Sequence, residues 1–206
     1  MNEPIISTIF PTTVYSTKLN REIDLDEKNF VIENGKNVSQ NSSNFISLDK
    51  DVLENVRLNE IKVFVEENLK RYVDDVLKPK HNVSLEITES WLNYTNKNEK
   101  HHRHHHPNSV VSGVFYFNCL DKDSIILYNK LQHYSTFEIE TKEYTLLNSM
   151  SWNFPVEVGT LILFPSYIEH EVNTNESNIP KTRISLAFNT MLKGKISSLS
   201  AKRIIL

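Results

Sequence analysis

The amino-acid sequence predicts a mainly β protein: a sandwich, jelly roll or barrel with helices on one side. Two observations carry this expectation. One amphipathic helical segment ends at Pro79, and several short β-rich runs separated by turn residues follow it. In chain order, residues 12–19 (TTVYSTKL) alternate in the manner of a strand. Residues 33–49 are polar and rich in Asn and Ser, and read as a surface loop. A short turn is expected over Asp51–Val56. The long helix is expected over about 59–77, where Ile61, Phe64, Val65, Leu69, Tyr72, Val73 and Val76 recur at three- and four-residue spacing. Pro79 ends it, because proline has no N–H to continue the ladder. The β-rich runs are Leu85–Tyr94, Ser109–Phe117, Ser124–Tyr128, Glu143–Leu147, Thr160–Phe164, Ile168–Val172 and Arg183–Thr190.

The 206 residues suit one domain, with 1–80 as N-terminal support, 81–192 as the β core and 193–206 as a tail packed on its own chain. A net charge of −3 does not favour nucleic acid as a partner. One cysteine, Cys119, excludes an internal disulfide and a cysteine-ligated structural zinc. It reads as a buried, neutral thiol. Without a signal peptide or a membrane-length apolar run, the expectation is a soluble cytoplasmic protein. A homo-oligomer is left open. Asn is abundant, at 23, and Gly scarce, at 4, so Asn is expected to do much of the turn work.

Five of the eight histidines fall at His101, His102, His104, His105 and His106. A chelating surface tract explains such a cluster as readily as a metal site does. If the segment is extended, His102, His104 and His106 share one face and His105 points away. A His-x-His pair on one face grips an ion with two imidazoles, and the third ligand must come from elsewhere. His170 is the candidate, since Glu169 and Glu171 on the same strand face the other way. Imidazole alone does not choose among zinc, iron, copper and nickel. Asp121 and Asp123 read as turn residues.

Along 181–189, Arg183, Ser185, Ala187 and Asn189 share a face opposite Ile184, Leu186 and Phe188. An arginine and a serine two residues apart, aimed inward, make a carboxylate clamp of a guanidinium fork and a hydroxyl donor. An arginine on an edge strand is the competing explanation. Trp91 and Trp152 are read as core, with lining of the barrel as the alternative, and Tyr128 as barrel packing.

Five pieces occur in order: Ser90-Trp-Leu-Asn93, His104-His-His106-Pro-Asn-Ser-Val-Val-Ser-Gly-Val-Phe-Tyr-Phe117, Gly159-Thr-Leu-Ile-Leu-Phe-Pro-Ser166, His170-Glu-Val-Asn173 and Arg183-Ile-Ser-Leu-Ala-Phe-Asn189. Together they resemble the iron(II)/2-oxoglutarate-dependent oxygenases, in the small prolyl-hydroxylase-like branch with an H-x-H-P-x-S-x-x-S-G-x-x-Y motif. The resemblance covers residues 85–190, about half the chain. It implies a double-stranded β-helix with the metal in its mouth and His104, His106 and His170 as ligands. It also implies Arg183 and Ser185 on the distal carboxylate of 2-oxoglutarate, and Asn93 on the co-substrate. Asn189 would face the same pocket, and Tyr116 either donates to the co-substrate or serves as core. The cofactors implied are Fe(II), 2-oxoglutarate and O2, used to hydroxylate an unidentified small-molecule or protein side-chain substrate with release of succinate and carbon dioxide. The superfamily's usual carboxylate ligand is replaced here by His106, which leaves iron(II) with its full formal charge. A His102/His104 register is the alternative, and Pro107 directly after His106 favours 104/106. The rivals are a cupin-like three-histidine metal protein that does not use 2-oxoglutarate, and a non-catalytic jelly-roll binding module.

Overall fold

The structure, a computed structural model, describes residues 4–129, 140–178 and 181–196. Its elements in order are β1 (Tyr15–Lys18), α1 (Leu25–Asn34), β2 (Val38–Asn41), β3 (Asn44–Ser47), α2 (Asn59–Tyr72), β4 (Val83–Thr95), β5 (His101–His104), β6 (Val111–Asn118), β7 (Ser124–Tyr128), β8 (Ser151–Pro155), β9 (Thr160–Pro165), β10 (His170–Val172) and β11 (Arg183–Gly194). A seven-stranded sheet runs β1-β9-β6-β11-β4-β3-β2, and a four-stranded sheet runs β5-β10-β7-β8. All ladders between named strands are antiparallel. Many short antiparallel strands in two sheets, with helices on one outer face, form a double-stranded β-helix.

Side-chain alternation divides the large sheet between two cores. Phe115 and Phe117 of β6, Leu161 and Leu163 of β9, and Ile184, Leu186 and Phe188 of β11 pack against Ile61, Val65, Leu69 and Tyr72 of α2. The intervening residues point the other way. Val114, Tyr116, Ile162 and Phe164 meet Ile125 and Leu127 of the small sheet, and these fill the barrel. The helix follows the expected periodicity. Its last turn widens over Val73–Leu77, and Lys78 leaves it in the left-handed region (φ 45°) just before Pro79. Asn98 and Asn108 take left-handed turn positions, as the abundance of Asn suggested.

Two expectations fail. The segment 33–49 is not a loop: it holds the end of α1 and the β2–β3 hairpin. Helix α1 itself has few apolar positions, and only Glu27, Phe30 and Val31 are buried. A capping box starts it: Asp24 accepts from the Glu27 N–H, and the Glu27 side chain accepts from the Asp24 N–H. The run Glu143–Leu147 is not a strand, although Tyr144 and Leu146 alternate. Asn148 captures it in a turn, accepting from the Thr145 N–H at 2.7 Å while its own N–H reaches the Thr145 carbonyl. The strand on the small sheet's edge is β8 instead, pairing with β7. The expected C-terminal tail lies outside the described residues from 197 onward. Among the described residues, no helix is long and apolar enough to cross a membrane.

Gly113 sits where β6 passes the Phe188 ring, which occupies the space a Cβ would need. Ring and glycine face each other across the β6–β11 ladder. Gly113→Ala should therefore cost about 1–3 kcal/mol of stability through overpacking, measurable as a lowered midpoint in urea unfolding.

Candidate metal centre and co-substrate pocket

The metal-ligand candidates come from two places. His104 closes β5 and His106 lies just beyond it, its N–H donating to the Ser166 carbonyl at 3.0 Å. His170 opens β10 directly opposite His104 in the β5–β10 ladder. Pairing in the small sheet therefore brings residues 64 positions apart into one cluster. Ligand nitrogens of His104, His106 and His170 all lie within 4.8 Å of one another. Nε2 of His106 is 3.3 Å from Nε2 of His170. Two ligands on one ion, each about 2.1 Å from it, lie about 3.0 Å apart at a right angle and about 3.4 Å apart in a tetrahedral site.

Hydrogen bonds fix which nitrogen faces the ion. Nδ1 of His104 is 2.7 Å from the His102 carbonyl, and Nδ1 of His170 is 3.1 Å from the Ile168 carbonyl. A carbonyl only accepts, so both Nδ1 atoms carry the proton and both Nε2 lone pairs are free. Burial pushes the pKa of all three histidines down, that of His106 to about 4, so the imidazoles are neutral, the form that binds metal. The edge of Phe164 packs against the His170 ring. The trio is thus a neutral, oriented donor set that fits a divalent transition metal.

The other histidines take different places. His101 stacks on His104 at 4.5 Å between centroids, and burial followed by its neighbours' charge holds its pKa down near 3. His102 contributes its carbonyl to His104, and its own buried Nδ1 finds no partner among the described residues. The His102/His104 register is not the one this geometry assembles. His105 is exposed. Glu169 pairs with Arg103, and Glu171 accepts the Tyr128 hydroxyl at 2.6 Å.

Below the histidines, β11 carries a polar row. Ser185 pairs with Asn93 on β4 and with Tyr116 on β6, so the three share one transverse row. Oδ1 of Asn93 and the Tyr116 hydroxyl are buried without hydrogen-bond partners among the described residues. Such orphaned atoms cost free energy unless a ligand meets them. Burial raises the Tyr116 pKa further, so the hydroxyl keeps its proton and can donate. Asn189 is already engaged: its Oδ1 accepts from Ser112 and its Nδ2 donates to Glu89. One acceptor site and one N–H of its amide remain.

Arg183 is buried and not at an edge. Its Nε donates to Oδ2 of Asp123 at 2.7 Å and its Nη2 to Oδ1 at 2.6 Å, while Nη1 reaches the Asn173 carbonyl at 3.3 Å. Asp123 was expected to be an ordinary turn residue. Its carboxylate instead lies inside the barrel wall and also accepts the N–H groups of Leu120 and Ser124. Nothing in the local sequence separates it from Asp121, because its partner is 60 residues away.

The short motifs acquire physical reasons. Ser90 accepts the Leu53 N–H at 2.9 Å, Trp91 lies beside the His106 ring, and Leu92 is core. Ser109, Ser166 and Ser112 form a chain of hydroxyls 2.7 and 2.8 Å apart that ends on Asn189. Three aromatic expectations need correction, the first being Trp91, which is half-buried beside His106 and outside both cores. Trp152 is 38% exposed on β8, an edge strand, instead of in the core. Tyr128 is half-buried, stacks under the Arg103 guanidinium at 3.7 Å and is not barrel packing. Cys119 is buried, and its thiol pKa is pushed up to about 12, which keeps it protonated.

A β-helix with three clustered imidazoles at one end and a buried guanidinium in its wall has the donors of a metal-binding protein. Comparison with known proteins supplies the family. Residues 89–189 match the sequence model of a family described as "Putative 2OG-Fe(II) oxygenase". Over these residues, just under half of its length, the chain carries the sequence pattern of the iron(II)/2-oxoglutarate-dependent oxygenases, which are oxidoreductases. Solved structures share the fold. An oxidoreductase of the 2OG-Fe(II) oxygenase family from Burkholderia pseudomallei aligns at 13% identity over 86% of this chain and 83% of its own, with a TM-score of 0.56. A prolyl-4-hydroxylase from Pseudomonas putida aligns at 13% identity over 86% and 92%, with a TM-score of 0.56. HygX from Streptomyces hygroscopicus, with nickel, 2-oxoglutarate and hygromycin B bound, aligns at 12% identity over 87% and 82%, with a TM-score of 0.56. No curated protein matches the chain.

His170→Ala removes the one donor that lies outside the cluster at 101–106. Its metal affinity should fall by more than the roughly 10–100-fold typical of lost supporting contacts. Calorimetric zinc titration checks this. Undiminished affinity would mean that the cluster at 101–106 chelates by itself.

Proposed function

We propose that His104, His106 and His170 hold iron(II), and that Arg183 and Ser185 anchor the distal carboxylate of 2-oxoglutarate in the same barrel. The observation that carries this reading is the approach of the His106 and His170 Nε2 atoms to 3.3 Å beside His104, in the same barrel as a buried guanidinium on the interior face of β11. When bound, the metal with 2-oxoglutarate and dioxygen supplies oxidative decarboxylation to succinate and carbon dioxide, coupled to hydroxylation of a substrate C–H bond.

The chain's own residues perform the binding and orientation. The carbonyls of His102 and Ile168 hold two ligand rings in their metal-binding tautomer. The protonated Tyr116 hydroxyl and the Asn93 amide lie in the row of Ser185, two residues along β11 from Arg183, where they can meet co-substrate oxygens. Val114, Ile162 and Phe164 line the same interior and keep water from it. Asn189, tied to Ser112 and Glu89, shapes the wall at the histidine end. Trp91 beside His106 offers a flat apolar surface where a substrate would approach. The prolyl-4-hydroxylase and the hygromycin-bound relative act on, or bind, different kinds of molecule. A small molecule and a protein side chain both remain substrate classes for this chain.

Anaerobic addition of 2-oxoglutarate to the iron(II)-loaded protein tests the reading. A metal-to-ligand charge-transfer band is the expected result, and its absence in folded, iron-loaded protein would favour a three-histidine protein that does not use 2-oxoglutarate. Arg183→Ala should weaken 2-oxoglutarate binding at least tenfold more than it weakens iron binding. Equal losses would point to misfolding.

A further inference from the structure

Arg183 does not wait in the barrel as a free cation. Asp123 grips it side-on, through Nε and Nη2, with both side chains almost fully buried at 4% and 2% exposure. Asp123 is itself immobilised. Oδ2 accepts from Arg183 Nε and from the Leu120 N–H, and Oδ1 accepts from Arg183 Nη2 and from the Ser124 N–H. Each oxygen therefore serves two donors, and the turn entering β7 holds the carboxylate at the start of that strand. The Asn173 carbonyl takes one N–H of Nη1. Of the five guanidinium N–H groups, three are used. One on Nη1 and one on Nη2 remain, and these two nitrogens form the edge that Asp123 does not cover.

We infer that Asp123 is the positioning residue of the co-substrate clamp: it locks the Arg183 guanidinium so that its uncovered Nη1/Nη2 edge receives a distal carboxylate end-on, and it stays in place when that carboxylate binds. The inference rests on the assignment of Arg183 given above. A long arginine side chain has many rotamers, and only a fixed fork accepts a carboxylate through two parallel hydrogen bonds. The same pairing balances the buried positive charge before the co-substrate arrives.

An amide cannot replace this carboxylate without loss. All four groups around it are donors, so the NH2 of an asparagine would face two N–H groups. Asp123→Asn and Asp123→Ser should each weaken 2-oxoglutarate binding to the anaerobic iron(II)-loaded protein about 10–100-fold, while iron(II) affinity stays within about threefold. Unchanged 2-oxoglutarate affinity in the folded variants would overturn the inference. So would tighter binding, which would make Asp123 a competitor for Arg183, or equal losses for iron and co-substrate, which would make its role purely structural. The wild-type chain provides a test that does not depend on the variants folding. In zinc-loaded protein, the Arg183 Nε–H resonance, assigned by its loss in Arg183→Lys, should remain protected from exchange after saturation with 2-oxoglutarate. Loss of that protection would mean that Asp123 lets go, and would sink the proposal. If wild-type protein binds no 2-oxoglutarate at all, the functional reading fails instead, and the two failures are distinguishable.

Discussion

Strand β11 is paired along both edges, to β4 and to β6, and its first eight residues are buried. Each of those residues must point into one of two cores, because successive side chains on a strand alternate. Ile184, Leu186 and Phe188 take the helix side, which leaves Arg183, Ser185, Ala187 and Asn189 for the barrel. A slip of one residue would put the guanidinium among the apolar contacts of α2 and three large hydrophobes where the polar row now lies. Register on this one strand therefore sets both the core and the pocket. Gly113 is part of the same constraint, since it lets β6 lie against Phe188 at the pairing that fixes the register.

The polar groups inside the barrel are arranged in tiers. At the histidine end, Ser109, Ser112, Ser166 and Asn189 satisfy one another and Glu89. At the far end, Asp123 is fully bonded and holds Arg183, which keeps two N–H groups open. Between them lie Asn93 and Tyr116, with buried oxygens that no described residue meets. A fully bonded network stiffens the wall, and a row with unmet atoms is where a polar ligand gains most. The barrel is thus stiffened at the histidine end and around Asp123, and receptive from the middle row to the open N–H groups of Arg183.

Much of this was legible in the chain. The long helix, most of the strands after Pro79 and the inward face of residues 183–189 follow from periodicity, because burial on one face leaves a repeat that local reading detects. Helix α1 lacks such a repeat. Its readable signal is the Asp24-x-x-Glu27 cap, which is easily passed over in a polar stretch. The false strand at Glu143–Leu147 shows the reverse error. Apolar residues alternate there, but Tyr144 and Leu146 are exposed and turn chemistry decides the backbone.

The sequence by itself determined the chemistry available: a dense group of imidazoles, a lone distal histidine, and an arginine and a serine on one strand face. These are matters of residue type and two-residue spacing, which a linear chain records directly. Only the tertiary structure decided which imidazoles meet, because pairing of β5 with β10 chose His104 as the neighbour of His170 and left His102 to supply a carbonyl. Only it showed that Asp123 belongs to Arg183. Contacts across 60 residues depend on how sheets close on each other, and no local pattern carries that information.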